Sequence, residues 1–379
     1  MSKTEWKKVR LGEVCNMYQP RTISQEEMID DGKYPVFGAN GIIGRYDKYN
    51  HELPQLLITC RGATCGTINT SEPYSWITGN SMVVRSKDEN LLSFEYLSYY
   101  LGQKHLISHV ITGAAQPQIT RSNLQELNIL FPTNIETQRR IAATLDKTNE
   151  LIALRKKQLK ELDVLAEAVF FDMFGDPVKN KKGWETIDLK KATNKIGSGA
   201  TPRGGNENYK SEGINFIRSL NVYNGKFQYR DLAHIDEEQA RLLDNVTVHK
   251  NDVLLNITGA SVARCCIVPE GLLPARVNQH VAIIRTKKDL NHIYLTSVFT
   301  SQSYQQKLLR LSKSNGATRE ALTKADIENL QILLPPLPLQ TRFATIIEKI
   351  EEQKAQVRKA LQESEDLFQR LMQDLFKPD

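Results

Sequence analysis

Gly113-Ala-Ala-Gln-Pro-Gln-Ile-Thr-Arg-Ser-Asn-Leu-Gln-Glu-Leu-Asn-Ile-Leu-Phe-Pro132 aligns without a gap on Gly316-Ala-Thr-Arg-Glu-Ala-Leu-Thr-Lys-Ala-Asp-Ile-Glu-Asn-Leu-Gln-Ile-Leu-Leu-Pro335, at an offset of 203 residues. After one residue of slippage, Gln138 to Phe174 aligns on Gln340 to Phe376 at an offset of 202. Looser echoes open each half (Trp6…Leu11…Pro20-Arg21 against Trp184…Leu189…Pro202-Arg203) and recur at Arg61-Gly-Ala-Thr64 and Thr258-Gly-Ala-Ser261. The chain is therefore written twice. Each copy is a unit of about 130–160 residues followed by a helical segment of about 40, a two-fold duplication rather than a solenoid.

The helical segments decide how the copies combine. In the first, Ile141, Leu145, Thr148, Ile152, Arg155, Leu159, Leu162, Ala166, Val169 and Met173 alternate steps of four and three. The second repeats that register with Phe343, Ile347, Ile350, Lys354, Val357, Leu361, Ser364, Phe368, Leu371 and Leu375. Such spacing puts an apolar seam on one face and predicts a coiled coil. Thr148, Arg155, Lys354 and Ser364 interrupt the seam with polar groups that set register at some cost in stability. Pro132 and Pro335-Pro-Leu-Pro338 stop the preceding structure, and Gly175-Asp-Pro177 ends the first helix. A seam this regular, present twice, predicts that the helices pair with each other, and a two-fold duplication that closes on itself makes the pair antiparallel.

The units before the helices read as mixed α/β. Apolar strands at Leu56–Thr59, Met82–Arg85, Asp252–Asn256 and Val281–Arg285 are separated by Gly- and Asn-rich turns. A helix is expected in each half, at Ser93–Gly102 and Asn291–Thr300. The expected fold is thus mixed α+β: globular units at 1–134 and 176–337, with long helices at 135–175 and 338–379. Strand order does not follow from the sequence.

Composition narrows function by exclusion. Of 379 residues, 40% are hydrophobic and 25% charged, which is ordinary globular composition. No apolar run is long enough to span a bilayer, and the first residues lack the apolar core of a signal peptide. Cys15, Cys60, Cys65, Cys265 and Cys266 are odd in number and unpatterned, so a reduced, cytoplasmic chain without a metal site is expected. There is no Gly-x-x-x-x-Gly-Lys-Ser/Thr phosphate cradle, no Gly-x-Gly-x-x-Gly fingerprint and no Asn/Asp-Pro-Pro-Tyr/Phe methyl-transfer loop. Gly-x-Ser-x-Gly and His-Glu-x-x-His are also missing.

The net charge of +6 is unevenly placed. Residues 1–134 hold 13 basic and 13 acidic groups, whereas residues 176–337 hold 23 and 16. A basic second unit suits an anionic partner such as a phosphate backbone. The polar loops add side chains able to read base edges, since Arg pairs with guanine and Asn or Gln with adenine. In the first unit these are Asn40, Arg45, Arg61, Asn80, Gln116 and Gln118. In the second they are Arg203, Arg218, Asn221, Arg264, Asn278, Gln279, His280 and Arg319. Each alone also suits a turn or a phosphate contact.

Three segments together resemble the specificity subunits of type I restriction–modification systems. They are Tyr34-Pro-Val-Phe-Gly-Ala-Asn-Gly-Ile-Ile-Gly44, then Gly316-Ala-Thr318 through Leu330-Gln-Ile-Leu-Leu-Pro-Pro336 and Gln340, and finally Met173-Phe-Gly-Asp-Pro177 with Gly183-Trp184. The resemblance covers the whole chain, with parts in the order recognition domain, helix, recognition domain, helix. The first half departs from the second half's pattern at Gln116-Pro-Gln118 and Phe131-Pro-Thr133. The resemblance implies a non-catalytic subunit in which each target recognition domain reads one part of a split, asymmetric DNA site. It implies recruitment of two modification subunits, which use S-adenosylmethionine to methylate adenine, and of motor-nuclease subunits that use ATP and Mg. No cofactor is expected in this chain. The alternatives are the specificity component of a related type IIB-like system, a self-sufficient base-modifying enzyme, and a coiled-coil adaptor that never touches bases.

Overall fold

The computed structural model describes residues 4–113, 116–202, 209–314 and 320–378. They form two compact units, Met1–Lys156 with Arg358–Asp379, and Lys157–Val357. In the first, a four-stranded antiparallel sheet has the order Cys15–Tyr18, Ser81–Ser86, Leu56–Thr59, Ile68–Thr70. Beside it, Tyr34–Gly38 lies between antiparallel Gly41–Tyr46 and parallel Trp76–Ile77. In the second unit the same topology returns. The four-stranded sheet runs Thr193–Ser198, Val281–Thr286, Val253–Asn256, Cys265–Ile267, and Ile214–Ile217 lies between Ala233–Ile235 and Ala275–Val277. The mixed α+β expectation holds.

The period of two along each central strand explains why both of its faces are buried. Leu56 and Ile58 point into one core with Met82 and Val84, while Leu57 and Val83 meet Phe37 and Ile77 of the smaller sheet. In the second unit Val253 and Leu255 pack with Ala282 and Ile284, and Leu254 joins Ile283, Phe216 and Val277 on the other side. The second unit adds a hairpin, Val222–Tyr223 with Lys226–Phe227, and a helix, Glu237–Leu242.

Two buried glutamines tie each unit to a long helix. Gln138 is fully buried. Its Oε1 accepts from the Ser93 amide at 2.9 Å, and its Nε2 donates to the Leu91 and Pro132 carbonyls, each at 2.8 Å. Gln340 repeats the arrangement with the Asn291 amide at 2.9 Å and the carbonyls of Asp289 and Pro335. Ser93 and Asn291 are the N-caps of Phe94–Leu101 and His292–Thr300, so each glutamine fixes the entry of a core helix. Tyr96 and Tyr294 in those helices donate to the Leu130 and Leu333 carbonyls at 2.8 and 3.0 Å.

The long helices, Ile135–Phe174 and Leu337–Asp374, run 40 and 38 residues, or about 60 Å each. In the first unit the start of one packs against the end of the other: Ile141 and Leu145 share a core with Phe368, Leu371 and Phe376. In the second unit Val169, Phe170 and Phe174 meet Phe343 and Ile347. Both packings are antiparallel. Of the remaining expected seam residues, Leu162 is buried, and Ile152, Leu159, Val357 and Leu361 are half-buried. The polar interruptions are bonded. Arg155 donates to the Ala360 carbonyl at 2.5 Å, and the buried Lys354 meets Asp163 at 2.6 Å and also Glu351. Burial would lower the Lys354 pKa, but the bonds to Asp163 and Glu351 outweigh it and raise the pKa.

Each helix therefore leads into a plug, Phe174 as the last residue of the first and Phe376 two residues past Asp374 of the second. Phe376 packs on Tyr96 and Tyr100, with ring centroids 5.2 and 5.6 Å away, and Phe174 on Tyr294 and Phe343 at 4.7 and 5.2 Å. Replacing either by Ala empties a fully packed site, and we expect a loss of about 3–5 kcal/mol in urea unfolding. In Phe376→Ala, hydrogen-exchange protection should fall in Phe94–Leu101 and persist in His292–Thr300; unchanged protection at Tyr96 would refute the plug.

Candidate nucleic-acid interface

In the first unit, three loops meet where strand Leu56–Thr59 ends. The Thr59 hydroxyl donates to the Ala39 carbonyl at 2.5 Å and lies 3.5 Å from Asn40 Oδ1. The Cys60 amide donates to the Asn80 carbonyl at 3.3 Å. Arg61 pairs with Gln118 in an isolated antiparallel bridge, flanked by Gly62 N–H to the Pro117 carbonyl at 3.2 Å and Ile119 N–H to the Cys60 carbonyl at 2.9 Å. Asn40, Arg61, Asn80 and Gln118 are thus brought together, all with exposed side chains. Gln116 is exposed two residues from the bridge. Gln19 joins the same end by donating to the Gly79 carbonyl at 3.1 Å. Next to it in the chain, Tyr18 Oη lies 2.7 Å from His51 Nε2. Burial first, and the Arg85 charge second, hold the His51 pKa below the usual imidazole value.

The second unit builds the equivalent place from different residues. Ile257 N–H donates to the His280 carbonyl at 3.0 Å, and Thr258 bridges Ala321 as Arg61 bridges Gln118. The Thr258 hydroxyl lies 2.6 Å from His280 Nδ1, and Gln279 Nε2 lies 3.2 Å from His280 Nε2. Thr201 donates to Gln279 Oε1. Gly62 and Gly259 follow the bridge residues at φ of 85° and 70°. Only glycine enters that region without a steric cost, which explains the Gly-Ala echo in the sequence.

Other expected contacts are engaged elsewhere. Asn221 is fully buried: its Nδ2 donates to the Gln228 and Arg230 carbonyls at 2.9 and 3.3 Å, and its Oδ1 accepts from the Arg218 amide at 3.0 Å. No base edge reaches it. Asn278 is also buried, with Oδ1 accepting from the His280 amide at 3.1 Å, so it holds the backbone of His280. Arg45 folds back on the carbonyls of Gly32 and Lys33 at 2.5 and 2.8 Å. Arg218 donates to the Asp231 carbonyl at 2.5 Å and stacks over Tyr209, and Arg264 stacks over Tyr223 with 4.6 Å to the ring centroid. Arg203 and Arg319 lie outside the described residues.

Sequence reasoning missed Thr59, Thr201 and Thr258. Thr258 had a signal, since it stands at the position of Arg61 in the Gly-Ala echo. Among the described residues no group of His, Cys, Asp and Glu could hold a metal ion. The thiol pKa values are all pushed up by burial, those of Cys15 and Cys266 to about 12, which leaves none poised as a thiolate. No described helix is long and apolar enough to cross a membrane.

A family model described as the type I restriction modification DNA specificity domain matches residues 3–164 and, again, 181–364. The chain is 31% identical over 153 residues to the EcoprrI specificity subunit of Escherichia coli, a match covering 39% of this chain and 37% of that protein. To the putative MjaX specificity subunit of Methanocaldococcus jannaschii it is 25% identical over 323 residues, covering 77% of this chain and 71% of the relative. The fold is similar to the crystal structure of a type I S subunit from M. genitalium, with a TM-score of 0.67 and 17% identity over 100% of this chain and 98% of that one. With the specificity domain matched twice over most of its length, the chain belongs to the type I restriction–modification specificity subunits, which supply DNA recognition and not catalysis.

Proposed function

We propose that the chain reads a bipartite, asymmetric DNA target, with one half-site for each recognition domain, 1–134 and 176–337. The observation that carries this reading is the pair of equivalent loop junctions with unlike side chains. Arg61, Gln118, Asn40 and Asn80 occupy one, and Thr258, Gln279 and His280 the other. Identical framework with different readers is what a non-palindromic target requires. The helices at 135–175 and 338–379 would act as a ruler between the half-sites. The repeated Gln138 and Gln340 junctions would present two like surfaces to two modification subunits. Those subunits would carry S-adenosylmethionine, and motor-nuclease subunits would use ATP and Mg; the assembly would work in the cytoplasm on double-stranded DNA.

Methylome sequencing of cells carrying this chain and its modification subunit tests the reading. Arg61→Ala should relax one half-site and Gln279→Ala the other, each by about 1–3 kcal/mol for the missing base hydrogen bonds. Equal weakening on all sequences would make both residues phosphate contacts. Asn221→Ala should instead lower stability by about 1–2 kcal/mol with both half-sites unchanged, because it leaves the part-buried Arg218 amide and Gln228 carbonyl without their partner. The purified chain alone should transfer no methyl group to DNA.

Inserting one heptad after Leu159 and one after Leu361 keeps the seams in register and lengthens each helix by about 10 Å. At about 3.4 Å per base pair, the preferred spacer should grow by up to about three base pairs, with both half-sites unchanged. Methylation at the original spacing would show that the helices do not set the distance.

A further inference from the structure

The second unit carries a basic groove that the loop junctions do not use. Thr193–Ser198 is the outer strand of its four-stranded sheet, so its free side presents backbone groups that no neighbouring strand pairs. A groove of about 610 Å³ runs along that side, and its lining includes Lys190, Lys195, Lys324, Asn194, Ser198 and Glu328. Three ammonium groups face one carboxylate there. Lys195 gives one bond to the Asn245 carbonyl, Lys190 one to Asn329 Oδ1 at 3.2 Å, and Lys324 lies 3.5 Å from Glu328. Each ammonium has three protons, so each retains donors for a further anion.

The groove leads to the reading junction. Just beyond Ser198, the Gly199 amide donates to the Asn278 carbonyl at 3.1 Å, and Thr201 bonds Gln279. From Thr193 to Ser198 the strand covers about 17 Å. One DNA strand places a phosphate about every 3.4 Å along the axis, so a groove of that length faces about five. In the first unit the equivalent outer strand is Cys15–Tyr18. Alignment through Leu11/Leu189, the strand registers and Arg121/Lys324 puts Gly12, Asn16 and Arg121 where the second unit has Lys190, Lys195 and Lys324. Three cations stand opposite one.

We propose that this groove is a phosphate track that holds the DNA backbone beside the second half-site, and that the first unit has no equal. The proposal rests on the DNA-reading function argued above. It makes the second unit the electrostatic anchor and leaves the first to depend on its junction contacts.

The test uses the full chain, with fluorescence anisotropy on a random-sequence duplex and on the methylated target across a salt series. The slope of log K against log salt changes by about 0.9 for each phosphate the protein no longer neutralises. The triple variant Lys190→Gln, Lys195→Gln, Lys324→Gln should flatten that slope by about 2–3 and weaken both duplexes by the same factor. The corresponding triple Arg variant should keep the wild-type slope. Lys147→Gln, Lys157→Gln and Lys160→Gln together remove the same charge from the exposed face of the first long helix and should leave the slope unchanged. A triple Gln variant with the wild-type slope, or an Arg variant as flat as the Gln one, overturns the track while DNA reading stands. An equal drop in the helix variant reduces the effect to net charge and also overturns it. If the wild-type chain binds neither duplex at any salt, DNA reading falls and the track with it.

Discussion

Each unit is completed by a helix end that its own half of the sequence does not supply. Phe376 closes the core around Tyr96 and Tyr100, while Phe174 closes the core around Tyr294 and Phe343. Aromatic side chains of this size bury some 150–250 Å² each, so the closure is a large part of either core and not a surface contact. Neither long helix can shift along its axis without withdrawing its terminal ring. The buried Gln138 and Gln340 fix the opposite ends, because moving either one would leave an N-cap amide and two carbonyls without partners. One hydrogen-bonded clamp and one aromatic plug therefore fix both ends of each helix.

Between those ends the seam is less apolar than its spacing suggests. Arg155 and Lys354 occupy core-facing positions, and both are satisfied, by the Ala360 carbonyl and by Asp163 with Glu351. Lys354 lies mostly under neighbouring side chains, so an axial slip would strand a charged group away from its partners. That penalty acts against wrong registers more than it stabilises the right one. The two sites are not copies of each other, since the position of Arg155 in the first helix is Val357 in the second, and that of Lys354 is Ile152. The duplication is approximate where register must be single-valued.

The long helices were legible in the sequence because a 4-3 apolar spacing sustained over five heptads fits a paired helix and little else, and the core strands were legible as apolar runs between turns. The topology was not, because pairing such as Tyr34–Gly38 with Trp76–Ile77 joins segments about 40 residues apart whose register no local pattern encodes. Side-chain roles at the loops were the least legible. Asn40 and Asn221 are the same residue type in Gly- and Asn-rich surroundings, yet one is exposed at the junction and the other is fully buried at the end of the short 3-10 helix Ser219–Asn221. What separates them is the chain that packs over them: the extra hairpin and the Gln228–Asp231 segment cover Asn221, and nothing in the residue itself announces that cover. Arg45 stays exposed, yet its guanidinium donates to the Gly32 and Lys33 carbonyls, an engagement that its place in the sequence does not announce.

That difference also underlies the two readings proposed above for one framework. The bridge residues Arg61 and Thr258 are flanked by backbone hydrogen bonds: the Gly62 and Gly259 amides donate to the Pro117 and Glu320 carbonyls, and the Ile119 and Leu322 amides donate to the Cys60 and Ile257 carbonyls, with the turn after each bridge set by Gly62 or Gly259. None of these bonds uses the bridge side chain. A guanidinium and a hydroxyl therefore occupy equivalent backbone positions without disturbing the strands beneath them. Beneath, Leu56 and Leu255 are fully buried and intolerant of change in volume. Burial is concentrated in the sheets, the clamps and the plugs, and the exposed junction side chains are ones that those elements only present. Substitution at the junction side chains therefore leaves the sheets and the long helices as they are, which is the property that the proposed two-part reading needs.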